Sequence, residues 1–151
     1  MNNKQDKLNQ FLIDVAEFFE KYYSKGVNEI VVKEEEDKSI SITFSGDCNS
    51  TIEVTSCSEE ITVIFSESHW HIDDYSEPCN MDSIYRNSIR SIMDILDLEV
   101  GTYSCWNNDV CLGGVSFASS IEDALQSARN TFQDVNEIRI KVWGNPLKIY
   151  K

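Results

Sequence analysis

Asn28-Glu-Ile-Val-Val-Lys-Glu34, Ser39-Ile-Ser-Ile-Thr-Phe44, Thr51-Ile-Glu-Val-Thr-Ser-Cys57 and Ile61-Thr-Val-Ile-Phe65 follow one another with only short polar turns between them. Ile30 and Val32 share one face with Val31 on the other; Ile40, Ile42 and Phe44 share a face, as do Ile52 and Val54. A period of two is the side-chain period of a β-strand. Ile61–Phe65 is apolar on both faces apart from Thr62, which marks a central strand. The intervening Glu34–Lys38, Ser45–Ser50 and Ser58–Glu60 are turn-like and too short for crossover helices. Four strands joined this way predict an antiparallel meander.

Working outward, Leu8, Phe11, Leu12, Val15, Phe18, Phe19 and Tyr22 recur at helical spacing between Lys7 and Tyr23, and Gly26 ends that helix. Ser66–Asn80 is polar, aromatic and acidic and reads as a long loop or an irregular strand end. A second helix is expected over Met81–Asp97, with Tyr85, Ile89, Ile92, Met93 and Leu96 on one face. Val100–Trp106 and Val110–Phe117 predict a hairpin around Asn107-Asn108-Asp109, and Gly113-Gly114 a bulge or a close approach of backbones. A third helix over Ser120–Phe132, capped by Ser119 or Ser120, turns Ile121, Ala124, Leu125, Ala128 and Phe132 inward. An alternating strand, Glu137–Trp143, and a tail turning at Gly144-Asn145-Pro146 complete the chain. The order α-β-β-β-β-α-β-β-α-β predicts one α+β domain over residues 1–151, with a mostly antiparallel sheet of six to seven strands and three helices.

Composition narrows the function classes. Apolar content of 41% across 151 residues suffices for a packed core, so a disordered acidic chain is not expected. No apolar run approaches the roughly 20 residues that cross a bilayer. The polar N-terminal stretch has no signal-peptide core, so a cytoplasmic protein is expected. Cys48, Cys57, Cys79, Cys105 and Cys111 are odd in number and contain no C-x-x-C, which argues against a disulfide framework or a zinc knuckle. Cys105 and Cys111 flank the hairpin turn and are placed to face each other across it.

The net charge of −13 is local. Residues 34–100 hold sixteen acids against Lys38, Arg86 and Arg90, a difference of thirteen, while each flank is balanced at five and five. Such a field repels nucleic acid and anionic membrane and attracts a basic partner. Between Glu59 and Glu77, acids coincide with residues enriched at interfaces: Glu59, Glu60, Glu67, Trp70, Asp73, Asp74, Tyr75 and Glu77. Aromatic anchors would supply packing area there, and the carboxylates would steer and pair with Lys or Arg. With balanced flanks and a charged middle, a monomer is expected rather than a homodimer.

The same segment carries both histidines. If extended, His69, His71 and Asp73 share a face, a His-x-His-x-Asp array suited to zinc or another first-row ion, and this defines the alternative reading of a small metal-dependent enzyme or metal-binding protein. A histidine among carboxylates can also act as a general base, with Ser66, Ser68, Tyr75 and Cys79 nearby in sequence, but no G-x-S-x-G elbow is present. Gly113-Gly114 lacks the further glycines and the lysine of a phosphate-binding loop. The leading expectation is non-enzymatic, with no metal or other cofactor.

The run Ile61-Thr-Val-Ile-Phe65-Ser-Glu-Ser-His69-Trp-His71-Ile-Asp-Asp74, followed by the helix Met81–Leu98 and the hairpin Tyr103–Phe117, resembles the small acidic immunity proteins of bacterial contact-dependent growth inhibition and other polymorphic toxin systems. The resemblance implies a cytoplasmic, non-enzymatic inhibitor that binds one cognate toxin and blocks its active site; the acidic charge, apart from the resemblance, points to a basic nuclease domain as that toxin. It carries over no site residue, since those families share neither a fold nor inhibitory residues.

Overall fold

In the computed structural model, residues 3–23, 26–97, 101–117 and 120–151 are described; Leu98, Glu99, Val100 and Ser119, used in the sequence reading, lie outside them. Helix α1 (Lys4–Tyr22) begins three residues before the expected start at Lys7, because the Asn3 side chain accepts the Asp6 N–H and caps it. Leu8, Leu12, Val15, Ala16 and Phe19 form its buried stripe. The meander follows as β1 (Glu29–Glu34), β2 (Ile40–Ser45), β3 (Thr51–Thr55), β4 (Ile61–Phe65) and β5 (Ser68–Ile72), antiparallel and paired in that order.

β5 corrects the expectation of a loop over Ser66–Asn80. Its turn is only two residues, Ser66-Glu67, with Ser66 at φ +55° in place of the usual glycine or asparagine. Ser68 and Ile72 are buried and Trp70 is half-buried, while His69 and His71 alternate outward.

One face of the meander is apolar and covered. Ile40, Ile42, Phe44, Ile52, Val54, Ile61, Val63 and Phe65 pack against α1 and against α2 (Met81–Leu96), which Asn80 caps. The two helices run side by side in the same direction: Phe11 stacks on Tyr85 near their starts, and the Tyr23 hydroxyl donates to Asp97 at their ends. The buried stripe of α2 is Ile84, Ser88, Ile92, Ile95 and Leu96, rotated from the expected one, so that Tyr85, Ile89 and Met93 lie on its half-buried flank. Ser88 enters the core by donating its hydroxyl to Ile84 O at 2.7 Å. β4 is interior, as expected, but Thr62 and Ile64 look out from the uncovered face, so it is not buried on both sides.

The remaining strands form a second sheet rather than extending the first, which corrects the single sheet of six to seven strands. β6 (Gly101–Asn107), β7 (Val110–Phe117), β8 (Glu137–Lys141) and β9 (Lys148–Tyr150) pair in the order β7-β6-β8-β9, all antiparallel. With α3 (Ile121–Thr131, capped by Ser120) they enclose their own core of Tyr103, Cys105, Ala124, Ala128, Ile138 and Ile140. The tail after Pro146 supplies β9. The hairpin turn is Asn108-Asp109, both at positive φ. The register slips between Cys105 and Trp106, leaving Leu112 as the extra residue of a bulge beside Gly113. Gly114 also fulfils the close-approach reading, since a Cβ there would lie 3.1 Å from Glu67 O.

Trp143 joins the two halves. Two residues past β8 it leaves its own sheet and enters the first core, where it is 3% exposed. Its Nε1–H donates to Gly26 O at 3.0 Å and its ring lies 6.2 Å from that of Phe65. Gly46 is required beneath it, because a Cβ would meet the indole at 2.6 Å and Gly26 O at 2.7 Å. Beside it, Gly144 N–H donates to Ser50 Oγ at 2.8 Å, and the buried Lys141 ammonium donates to Cys48 O at 2.8 Å. All these contacts fall at the end of the meander that carries the β2–β3 and β4–β5 turns.

Cys105 and Cys111 do not face each other. Cys105 opposes Gly113, Cys111 opposes Trp106, and all five cysteines are free thiols. Burial pushes the Cys105 thiol up to about 11. In a titration with an aromatic disulfide reagent at about pH 8, the exposed Cys48 and Cys111 should react quickly. Cys105 should react only after denaturant is added, and fast modification of it in the native protein would contradict this packing.

Candidate functional site

In a meander, the first and third turns and the exit from the fifth strand share one end, while the second and fourth turns share the other. This parity decides where the charge collects. Glu34 at the end of β1 with Glu35, Glu36 and Asp37 after it, Glu59 and Glu60 before β4, and Asp73, Asp74 and Glu77 after β5 bring nine carboxylates to a single end of the sheet. The start of α1 seals that end. Asn9 Nδ2 donates to Lys38 O at 2.8 Å, Gln5 Nε2 to Ser56 O at 2.8 Å, and Lys4 Nζ reaches Asp73 at 2.7 Å. The N-termini of α1 and α2 therefore both lie at the acidic end, and their positive dipole ends offset part of the repulsion there.

Some of these charges are paired. Lys33 meets Glu35 at 3.2 Å, Lys38 meets Glu34 at 3.5 Å, and His71 contacts Glu60. Among the described residues, none of Glu36, Asp37, Glu59, Asp74 and Glu77 has a Lys or Arg within ion-pair distance. Asp37 and Asp74 are instead fixed by their own turns. The Ser39 hydroxyl and N–H donate to Asp37 at 2.6 and 3.0 Å, and the Ser76 hydroxyl and N–H donate to Asp74. These hydrogen bonds hold both carboxyls below the usual range, so both stay ionised in mild acid.

Of the eight residues expected to bind a partner, Glu59, Glu60, Asp73, Asp74, Tyr75 and Glu77 belong to this end, with Tyr75 85% exposed at its tip. Asp73 is engaged by Lys4. Glu67 lies in the β4–β5 turn at the opposite end. Trp70 points to the helix side and packs on the core, half-buried. Glu34–Asp37, a turn by its sequence, and Glu53 of β3 belong to the same acidic surface. With Lys33, Ser39, Ser41, Thr55 and Cys57 they line an open cleft of about 670 Å³.

The uncovered face of the meander adds Thr43, Thr55, Thr62 and Ile64, then His69 and His71 on β5. The two imidazoles share that face as expected, 5.0 Å apart between ring centroids and nearly perpendicular. Asp73 does not join them, since it is turned to Lys4; Glu60 takes the place beside His71, and Thr62 Oγ1 lies 3.3 Å from His71 Nδ1. Among the described residues, no three His, Cys, Asp or Glu side chains converge as a metal would require. No helix among them is long and apolar enough to cross a membrane.

No family model, curated protein or solved structure matches the chain.

Proposed function

We propose that this protein is a non-enzymatic inhibitor: a cytoplasmic immunity protein that binds a cognate bacterial toxin domain and covers its basic substrate groove. The supporting observation is the gathering of nine carboxylates from three separate turns at one end of a sheet whose other end is occupied by the second sheet. A nuclease must present Lys and Arg to phosphate, so a rigid acidic surface competes for the same groups. The turn hydrogen bonds to Asp37 and Asp74 hold these two carboxylates in place before binding, which lowers the ordering cost of association.

The test uses a toxin domain encoded beside this chain, made as a catalytically inactive variant and titrated with the full-length protein. An equimolar complex is expected, forming at roughly 10⁸–10⁹ M⁻¹s⁻¹ at low salt and slowing steeply as salt rises. Co-expression with the active domain should restore growth. Absence of both complex and protection would overturn the reading.

A further inference from the structure

β1 is an edge strand: it pairs with β2 on one side and, among the described residues, with nothing on the other. The other edges differ, since β5 and β7 approach each other and β9 has only three residues. Glu35 N–H donates to Ser39 O, and Ile40 takes its backbone partners from the β3 side through Ser56. Antiparallel alternation then turns the N–H and C=O groups of Glu29, Val31 and Lys33 toward β2, and those of Ile30, Val32 and Glu34 outward along the free edge. The centre of that edge is apolar, with Val31 46% and Val32 47% exposed. On the uncovered side it adjoins the acidic cleft. On the helix side Ile30 borders a recess of about 320 Å³ shared with Phe19 and Val27.

The cleft is more than a cluster of acids. Ser41 lines it in register with Lys33 and Thr55, and its hydroxyl, bonded to no described residue, meets the solvent of the cleft rather than lying sealed in the core. We propose that β1 is the docking edge of this protein, where an extended segment of a basic partner joins the meander as a sixth strand. Its alternate Lys or Arg side chains lie over the cleft, and its apolar side chains lie on the helix side beside Val32. This rests on the reading of the protein as a binder of a basic partner and specifies which part of that partner it takes.

Charge selects the occupant. Glu20, Glu29, Glu34, Glu35, Glu36, Asp37 and Glu53 surround the edge and its two recesses against Lys33 and Lys38. A second copy of this chain would bring the same seven carboxylates against them. A strand with one basic face is complementary, and edge addition supplies its backbone hydrogen bonds.

The probe is a capped synthetic peptide of alternating lysine and valine, about seven residues long to match the strand. Binding should move the backbone amide resonances of Ile30, Val32 and Glu34 and slow their hydrogen exchange. Alternating glutamate and valine should not bind. Val32→Pro removes an outward N–H without touching the β1–β2 ladder, and Val32→Lys places a repelling charge at the same point; each should weaken peptide binding at least tenfold. Shifts confined to other strands, unchanged binding by both variants, or a wild-type dimer abolished by Val32→Pro would each overturn the proposal. The inactive toxin domain separates the two readings. Equal binding to wild type and Val32→Pro would remove β1 and leave the inhibitor standing; peptide docking at β1 with no toxin binding would do the reverse.

Discussion

Replacing Glu36, Glu59 and Glu77 together by lysine should slow association with the proposed basic partner by about 100-fold at low ionic strength and flatten its salt dependence. Each residue comes from a different turn at the acidic end, each is exposed, and none has a Lys or Arg partner among the described residues. The substitutions therefore change the field without breaking a hydrogen bond or ion pair, Glu59 acting on Lys4 only at longer range, and circular dichroism and thermal midpoint should stay near wild type. Asp73 is unsuitable for this purpose, because reversing it would set a lysine against Lys4. The control reverses Asp109, Glu122 and Asp134 of the second half, exposed acids outside this end. Both triples shift the net charge from −13 to −7. If both slowed association equally, total charge rather than this surface would govern encounter, and the assignment of the acidic end would fall.

Trp143→Ala should cost about 3–5 kcal/mol, the usual range for deleting a buried large aromatic. That is a large part of the 5–15 kcal/mol that holds a typical domain together. The indole fills a space bounded by Phe65, Gly46 and the Gly26 carbonyl, and its removal leaves a cavity at the junction of the sheets together with an unmet acceptor. Urea unfolding of the variant should show a lower midpoint, and the two sheets should separate into distinct transitions. Trp143→Phe keeps most of the volume but loses the 3.0 Å bond to Gly26 O, so a smaller loss of about 1 kcal/mol is expected. A variant as stable as wild type would show that Trp143 does not couple the halves.

Much of this architecture was legible in the residues. The alternation over residues 28–65, the helical spacing of Leu8 to Phe19 and the asparagine-rich hairpin turn each determine local structure through side-chain period or backbone conformation. β5 was not, because its inward positions begin with the small polar Ser68, and its turn uses a serine at positive φ where glycine or asparagine is the usual signal. β9 is too short to show a period. The split into two sheets was hidden for a different reason: alternation identifies strands but says nothing of which strands pair, and the residue that joins the sheets reads in sequence as the end of β8. The candidate site was half visible. Acid content located the segment, but Trp70 and the histidines had to fall on opposite faces of one strand, and an aromatic at an inward position packs on the core. The Glu34–Asp37 turn could have been included by counting turn parity, which places it beside Glu59–Glu60 and Asp73–Glu77.

Trp143 also sets an order of events during synthesis. The core of the first sheet is assembled from residues 8–96 and this one distant indole, so the meander and its two helices can collapse early but cannot close. Contacts of such long separation form late, and a chain made from its N-terminus reaches residue 143 only after the whole acidic end has been exposed. A nascent chain lacking the second sheet should display the charges of the finished protein on a frame that still lacks its final plug. Under the proposed inhibitor reading, competence to hold a partner would then arise in a single step, when Trp143 docks, rather than gradually as the acidic segment is made.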